Sequence, residues 1–205
     1  MAMQETEKIK ITNEINETQL NQAIEIYYFA FKQKIRPLIK SKEKAIAVYK
    51  KGLNYDRIFY AVIENNVVGL VGLYYEKKNF IDIEYSNLRK HFNPFRSFFI
   101  YSIYRLISSK IKEDVLRIDS LAVKESVRGL GIGSQLIDKV FQFAKSKGFN
   151  EVILEVVDTN PKAKKLYEKI GFKEKKLVKY YFLTRSAGFS SEYIMSYDMK
   201  NYLSS

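Results

Sequence analysis

Residues 127–148 read VRGLGIGSQLIDKVFQFAKSKG, an arginine and three glycines set ahead of a segment with helical apolar spacing. A loop of this kind presents backbone N–H groups at a helix N-terminus, where unpaired donors and the helix dipole attract an anion. Gly131 and Gly133 let an oxygen approach the backbone closely, because no side chain stands in the way. No Gly-Lys-Ser/Thr follows, which excludes the Walker phosphate loop. A dinucleotide fold places its glycines after the first strand, with an acid about 20 residues on. Glu151 and Glu155 lie near that distance, but the loop comes late in the chain, after an antiparallel hairpin. On spacing alone, a plain tight turn into a helix accounts for the loop as well as an anion site does.

The rest of the chemistry is bounded by what is missing. The chain has 205 residues, no cysteine and a single histidine, His91, so disulfides and thiolate nucleophiles are excluded and no metal site is expected. Carboxylates, hydroxyls, phenols and backbone amides are what remains. His91 sits in RKHFNPF, which reads as a polar surface turn before a helix. The net charge of +12 suits partners rich in phosphate without choosing among them. Residues 1–14 are polar and of mixed charge, and no run of eighteen apolar residues occurs, so a soluble cytoplasmic protein is expected.

These residues must be positioned by elements that the hydrophobic period outlines. Residues 17–31 carry Leu20, Ala23, Ile24, Tyr27, Tyr28 and Phe31 at helical spacing behind a Thr18 cap, and 41–49 form a shorter helix. The β-rich runs 58–63 and 67–75 flank Glu64, Asn65 and Asn66, which predicts an antiparallel hairpin. Residues 80–92 give mixed signals, and Pro94 then opens an apolar, aromatic helix over 95–111. A strand over 117–123, a helix over 134–147, a strand over 152–157, a helix over 161–170 and strands over 177–183 and 193–199 follow. In the helix over 134–147, Leu136, Ile137, Val140, Phe141 and Ala144 form a buried stripe that ends at Gly148. With no repeat, linker or low-complexity stretch, residues 1–205 read as one α+β domain.

From Arg128 to Gly133 the loop matches R-x-x-G-x-G. The strand IDSLAV precedes it, and NPKAKKLYEKIGF, residues 160–172, follows one helix and one strand later. In these features the chain resembles the GCN5-related N-acetyltransferase (GNAT) superfamily. Residues 116–172 carry the resemblance, whereas before Ile58 and after Phe172 only the element order is similar. The resemblance implies a mixed, mostly antiparallel central sheet flanked by helices, whose parallel fourth and fifth strands, 117–123 and 152–157, splay apart to admit acetyl-CoA. It implies that the amides of Arg128, Gly129, Leu130, Gly131, Ile132, Gly133 and Ser134 cradle the pyrophosphate. Amides around Leu121, Ala122 and Val123 would hold the acetyl carbonyl and pantetheine, and Asn160 and Ala163 would contact the cofactor.

The implied reaction is direct attack of an amine on the thioester. Tyr167 matches the family's phenol acid, although an ordinary core aromatic would have the same type and spacing. Asp119 is the first candidate for the base, on the same strand face as Arg117 and Leu121 by alternation; an acid paired with a lysine at a strand end is the equal alternative. Glu84 is the second candidate, for base or for recognition of a cationic acceptor. Tyr27, Tyr28 and Phe31 would line an acceptor pocket or simply pack in the core.

The helix near residues 93–111 departs from the family's plain hairpin between the third and fourth strands. Phe95, Phe98, Phe99, Tyr101, Ile103, Tyr104, Leu106 and Ile107 leave it little polar face, so a lid over the acceptor or a homodimer contact is expected, ahead of an interfacial membrane helix. The expected activity is acetyl transfer to a primary amine of a small molecule. A protein N-terminal acetyltransferase of the ribosomal-protein type, and a non-catalytic acyl-CoA-binding or RNA-binding module, are the alternatives. Nucleic acid is not an expected partner, since no RNA-binding motif accompanies the basic charge.

Overall fold

A computed structural model describes residues 8–107, 111–180 and 188–203. Seven strands form one sheet in the order β1-β2-β3-β4-β5-β7-β6. They are β1 (Lys10–Thr12), β2 (Ile58–Ile63), β3 (Asn66–Tyr74), β4 (Val115–Val123), β5 (Glu151–Val157), β6 (Lys173–Lys179) and β7 (Ser191–Asp198). Every neighbouring pair is antiparallel except β4 with β5. The helices are α1 (Glu17–Ile35), α2 (Lys42–Lys51), α3 (Tyr85–Leu88), α4 (Pro94–Ile107), α5 (Ile132–Lys147), α6 (Pro161–Ile170) and α7 (Lys200–Leu203).

Local chemistry explains these boundaries. The β2–β3 hairpin closes through Glu64 and Asn65, both with positive φ, which is the backbone that a two-residue turn between twisted strands requires. Helix α1 starts earlier than a Thr18 cap predicts. Asn16 caps it, and Gln19 returns a bond to the Asn16 amide, a reciprocal pair that satisfies two orphan donors. β1, α3 and α7 have no counterpart in the hydrophobic period because each is only three or four residues long. β6 lies four residues earlier than expected, and positions 181–183 of the predicted strand fall outside the described residues.

The sheet is covered on both faces. Leu136, Ile137, Val140, Phe141 and Ala144 of α5 pack against Ala61, Val71, Leu116 and Leu154. On the other face Ala23 of α1 meets Tyr60 and Leu70. Outside it, Leu20, Ile24 and Tyr28 of α1 join Val48 and Tyr49 of α2 and Ile100 of α4 in a second core.

The aromatic helix α4 therefore has a structural partner of its own. Ser97 and Ile100 are fully buried, and the Tyr104 and Tyr49 hydroxyls are hydrogen-bonded. Phe95, Phe98 and Phe99 point outward at 89%, 66% and 59% exposure. The expected helix over 95–111 is described as far as Ile107, with residues 108–110 outside the described set.

Candidate active site

β4 and β5 pair in parallel from Val115–Glu151 to Ile118–Leu154 and no further. β5 then continues to Val157 against β7, while β4 continues to Val123 against β3. The two strands diverge just where β4 is irregular. Gly72 pairs with Ser120 and Leu73 with Ile118, so Asp119 stands opposite no residue of β3. One extra residue in a strand bends it and reverses which side chains face which way. Leu116 and Ile118 face α5 before the bulge, and Leu121 and Val123 do so after it. Ser120, beside Tyr27 of α1, and Ala122 face the α1 side instead. Strict alternation groups Asp119 with Leu121 and against Ser120; the bulge overturns that grouping.

The divergence opens a cleft of about 300 Å³ that passes from one face of the sheet to the other. Its α6 side is lined by Asn160, Ala163 and Tyr167, its β4 edge by Asp119, Ser120 and Leu121, and its α1 side by Phe31, Lys34 and Glu155. Tyr167 is buried, and its hydroxyl makes no hydrogen bond among the described residues; burial pushes the phenol up to about 12. Asn160 caps α6 by accepting from the Ala163 amide at 3.2 Å, with Pro161 at the first helical position.

Asp119 accepts from Arg117 at 2.9 Å. Enclosure in the cleft raises its carboxyl above the ordinary aspartate range, and Arg117 draws it part of the way back. Arg117 is itself buried, with its guanidinium 4.4 Å above the Tyr74 ring.

The glycine loop lies at the head of α5. Gly129 and Gly131 have φ of 89° and 76°, where a Cβ is strained although the space around it is open. No side chain caps α5, so its first amides point out of the helix without an intrahelical acceptor. Gly133 meets α6 instead: a Cβ there would sit 3.4 Å from Leu166. Ile132 is buried in the core, Leu130 and Arg128 are exposed, and the Ser134 side chain faces a separate surface depression beside Asp138, so the backbone is what these residues offer. Glu84 stands apart from the cleft, at the N-terminus of α3, where it accepts from Ser86. No residue of α4 lines the cleft among the described residues.

Several polar side chains of the cleft are not signalled by any motif. Glu155 lines it from β5 as an exposed residue, and enclosure by the cleft walls raises its carboxyl, with Arg117 opposing the rise. Glu192 of β7 is buried, accepts from Lys34 at 2.8 Å and from Tyr180 at 2.9 Å, and the Lys34 ammonium lies 5.1 Å from the centre of the Phe189 ring. An acid inside the apolar run VILEVV is a legible anomaly at Glu155. The approach of Glu192 depends on β5–β7 register, which local sequence does not encode.

Comparison with known proteins points the same way. Residues 20–172 match the profile of the acetyltransferase (GNAT) family. Over 74 residues the chain is 36% identical to a thialysine N-epsilon-acetyltransferase of Sus scrofa, covering 36% of this chain and 44% of that one. Over 64 residues it is 42% identical to an N-alpha-acetyltransferase of Sulfurisphaera tokodaii, covering 31% and 38%. These stretches span less than half of either relative. An N-acetyltransferase from Staphylococcus aureus Mu50 superposes with a TM-score of 0.64 at 17% identity over 92% of this chain and all of that one, a likeness of fold.

Proposed function

The chain belongs to the acetyltransferase (GNAT) family, and from that footing we propose that it is an acetyl-CoA-dependent N-acetyltransferase acting on a primary amine of a small molecule. The observation that carries this reading is the end of β4–β5 pairing at Ile118–Leu154, which brings Tyr167 and Asp119 to one cleft from opposite faces of the sheet.

The chain's features suit the donor. Positive-φ glycines and uncapped amides at the head of α5 suit a pyrophosphate, and the cleft between β4 and β5 suits a pantetheine arm. Acetyl-CoA, when bound, supplies an acetyl group activated as a thioester. Backbone amides beyond the β4 bulge, at Leu121 and Val123, serve as fixed donors to the developing oxyanion.

Asp119 takes the proton that the amine gives up as the C–N bond forms, directly or through one water. An alkylammonium of pKa ~10.4 reaches the site as the free amine only in part, so a carboxylate raised above its ordinary range is better matched to that task than a free aspartate. Tyr167 stays protonated and donates to the sulfur as the C–S bond breaks. Full transfer from a phenol near 12 to a thiolate of ordinary pKa ~8.5 runs uphill by about 5 kcal/mol, so hydrogen bonding during charge development is its main contribution.

The whole chain acts as one catalytic unit in the cytoplasm in this reading. A homodimer formed over Phe95, Phe98 and Phe99 belongs to it as well, since three exposed phenylalanines on one helix favour a covered state. The experiment is thiol release from acetyl-CoA against free amines, lysine analogues and peptides with free N-termini. Release with a small amine supports the reading, release with peptides alone moves it to the N-terminal class, and binding without release to any acceptor makes the protein a sensor.

A further inference from the structure

We infer that Lys34 is an internal acceptor: with no free amine bound, the protein transfers an acetyl group from acetyl-CoA to its own Lys34 side chain. The inference rests on the N-acetyltransferase reading.

The two sides of the cleft offer different chemistry. Asn160, Ala163 and Tyr167 of α6 stand on the side assigned to the donor, which leaves the α1 side for the amine. That side already carries an amine. Helix α1 lines the cleft with Ala30, Phe31, Gln33 and Lys34, whose spacing puts them on one face, and Lys34 is the one lysine lining the cleft among the described residues. Lys32 is also exposed but lies on the opposite face of the helix. Lys34 is held in place at the cleft. Its ammonium donates to the buried Glu192 carboxylate at 2.8 Å and lies 5.1 Å from the centre of the Phe189 ring, itself part of the lining. The side chain is 49% exposed, so its flexible four-carbon stem can leave Glu192 without unpacking the core. The amine is also near the proposed base, since Lys34 is one of the groups that draw the Asp119 carboxyl down.

An amine tethered beside the thioester reacts as part of the same molecule, without the entropy cost that a free amine meets. The Lys34 ammonium first gives one proton to water. The free amine then adds to the thioester carbonyl, the C–N bond forms and the C–S bond breaks, a second nitrogen proton passes to Asp119, and CoA leaves as a thiolate that takes up a proton. The balance is one ammonium and one acetyl-CoA in, with one N-acetyl-lysine, one free CoA and one proton out. The product is neutral, so Glu192 loses its cationic partner and keeps only the Tyr180 phenol of the two donors. The acetylated side chain then stands on the acceptor side, where it excludes free amines.

The test incubates the full chain with acetyl-CoA and no amine, and follows acetylation of each lysine by peptide mass spectrometry. Lys34 should be modified at least about tenfold faster than Lys32 and Lys77, exposed lysines off the cleft, which is the advantage of reaction within one molecule. The rate per molecule should hold across a roughly tenfold dilution of the protein, and Asp119→Asn should bring Lys34 down to the level of Lys32. Preincubation with acetyl-CoA should lower later turnover of a free amine by the wild type and leave that of Lys34→Arg undiminished. Even acetylation of Lys32, Lys34 and Lys77 overturns the inference, because bulk chemical acetylation then accounts for the product. A Lys34 rate that falls with dilution also overturns it, by making the reaction one between copies. Thiol release with free amines while Lys34 stays unmodified overturns the inference and leaves the acetyltransferase reading intact. Absence of thiol release with every amine or peptide, together with an unmodified Lys34, removes the acetyltransferase reading itself, and the inference with it.

Discussion

Arg117 and Asp119 are two residues apart on β4 and joined by an ion pair of 2.9 Å, on a strand whose pairing with β3 skips Asp119. The bulge turns the carboxylate into the cleft, and the buried guanidinium keeps it from rising further above its ordinary range. A base must be ionised to act. Activity should therefore rise with pH through a limb lying above the usual carboxylate values, and Asp119→Asn should lower kcat by about 100-fold or more and erase that limb. Arg117→Gln removes the opposing influence and should move the limb to higher pH. The measurement is kcat/KM against pH for the three proteins, and an unchanged limb in Asp119→Asn assigns the base elsewhere.

Tyr167 makes an opposite pair of predictions for activity and stability. Its ring is buried, while its hydroxyl makes no hydrogen bond among the described residues and borders the cleft, so its removal costs the fold no protein partner. Tyr167→Phe should leave Tm unchanged or slightly raised, while kcat falls by roughly 100-fold with acetyl-CoA affinity retained. A matched fall in Tm and activity would make the ring, and not its hydroxyl, the important part.

Gly131 separates backbone strain from packing. A Cβ there meets open space, but φ of 76° places any other residue in the left-handed region. Gly131→Ala should cost about 1 kcal/mol of stability and weaken acetyl-CoA binding by more than the stability change accounts for, as measured by thermal melts and calorimetric titration. Equal acetyl-CoA affinity in the variant would show that the loop does not contact the pyrophosphate.

What could be read from the sequence divides according to the range of the interaction. The glycine loop, the α5 stripe and the Asn160-Pro161 helix start are local features, and the structure contains all three. The β2–β3 hairpin was equally legible, because Glu64 and Asn65 supply the turn. The bulge at Asp119 was not, since strand alternation holds only for a regular ladder and the skipped residue is set by β3. Glu84 is the acid that the sequence offers for recognising a cationic acceptor, and it stands apart from the cleft. The acids at the cleft, Asp119 and Glu155, with Glu192 as a neighbour of Glu155, come from three strands whose order no local pattern states.

The α4 helix is tied to the site through phenols. Tyr104 bonds Tyr49, whose ring is 5.4 Å from that of Tyr27, and Tyr27 lies next to Ser120 beside the bulge. Tyr104→Phe strands the buried Tyr49 hydroxyl and should cost about 1 to 3 kcal/mol by chemical denaturation. Since no α4 residue lines the cleft among the described residues, kcat should change far less than stability does.

Glu155 provides a last prediction, independent of any substrate. Although the residue is exposed, enclosure by the cleft walls raises its carboxyl in the folded state above the value in the unfolded chain, so the folded state binds the proton more tightly by an amount that solvent screening keeps small. Below the ordinary glutamate pKa both states are protonated and the group contributes nothing. As pH rises through the ordinary value and then the raised one, the folded state loses stability, and the whole loss is present at neutral pH. Glu155→Gln should therefore raise Tm at pH 7 to 8, with the gain shrinking to nothing toward pH 4. A destabilised variant at neutral pH would mean that the carboxylate has a stabilising partner in the folded protein.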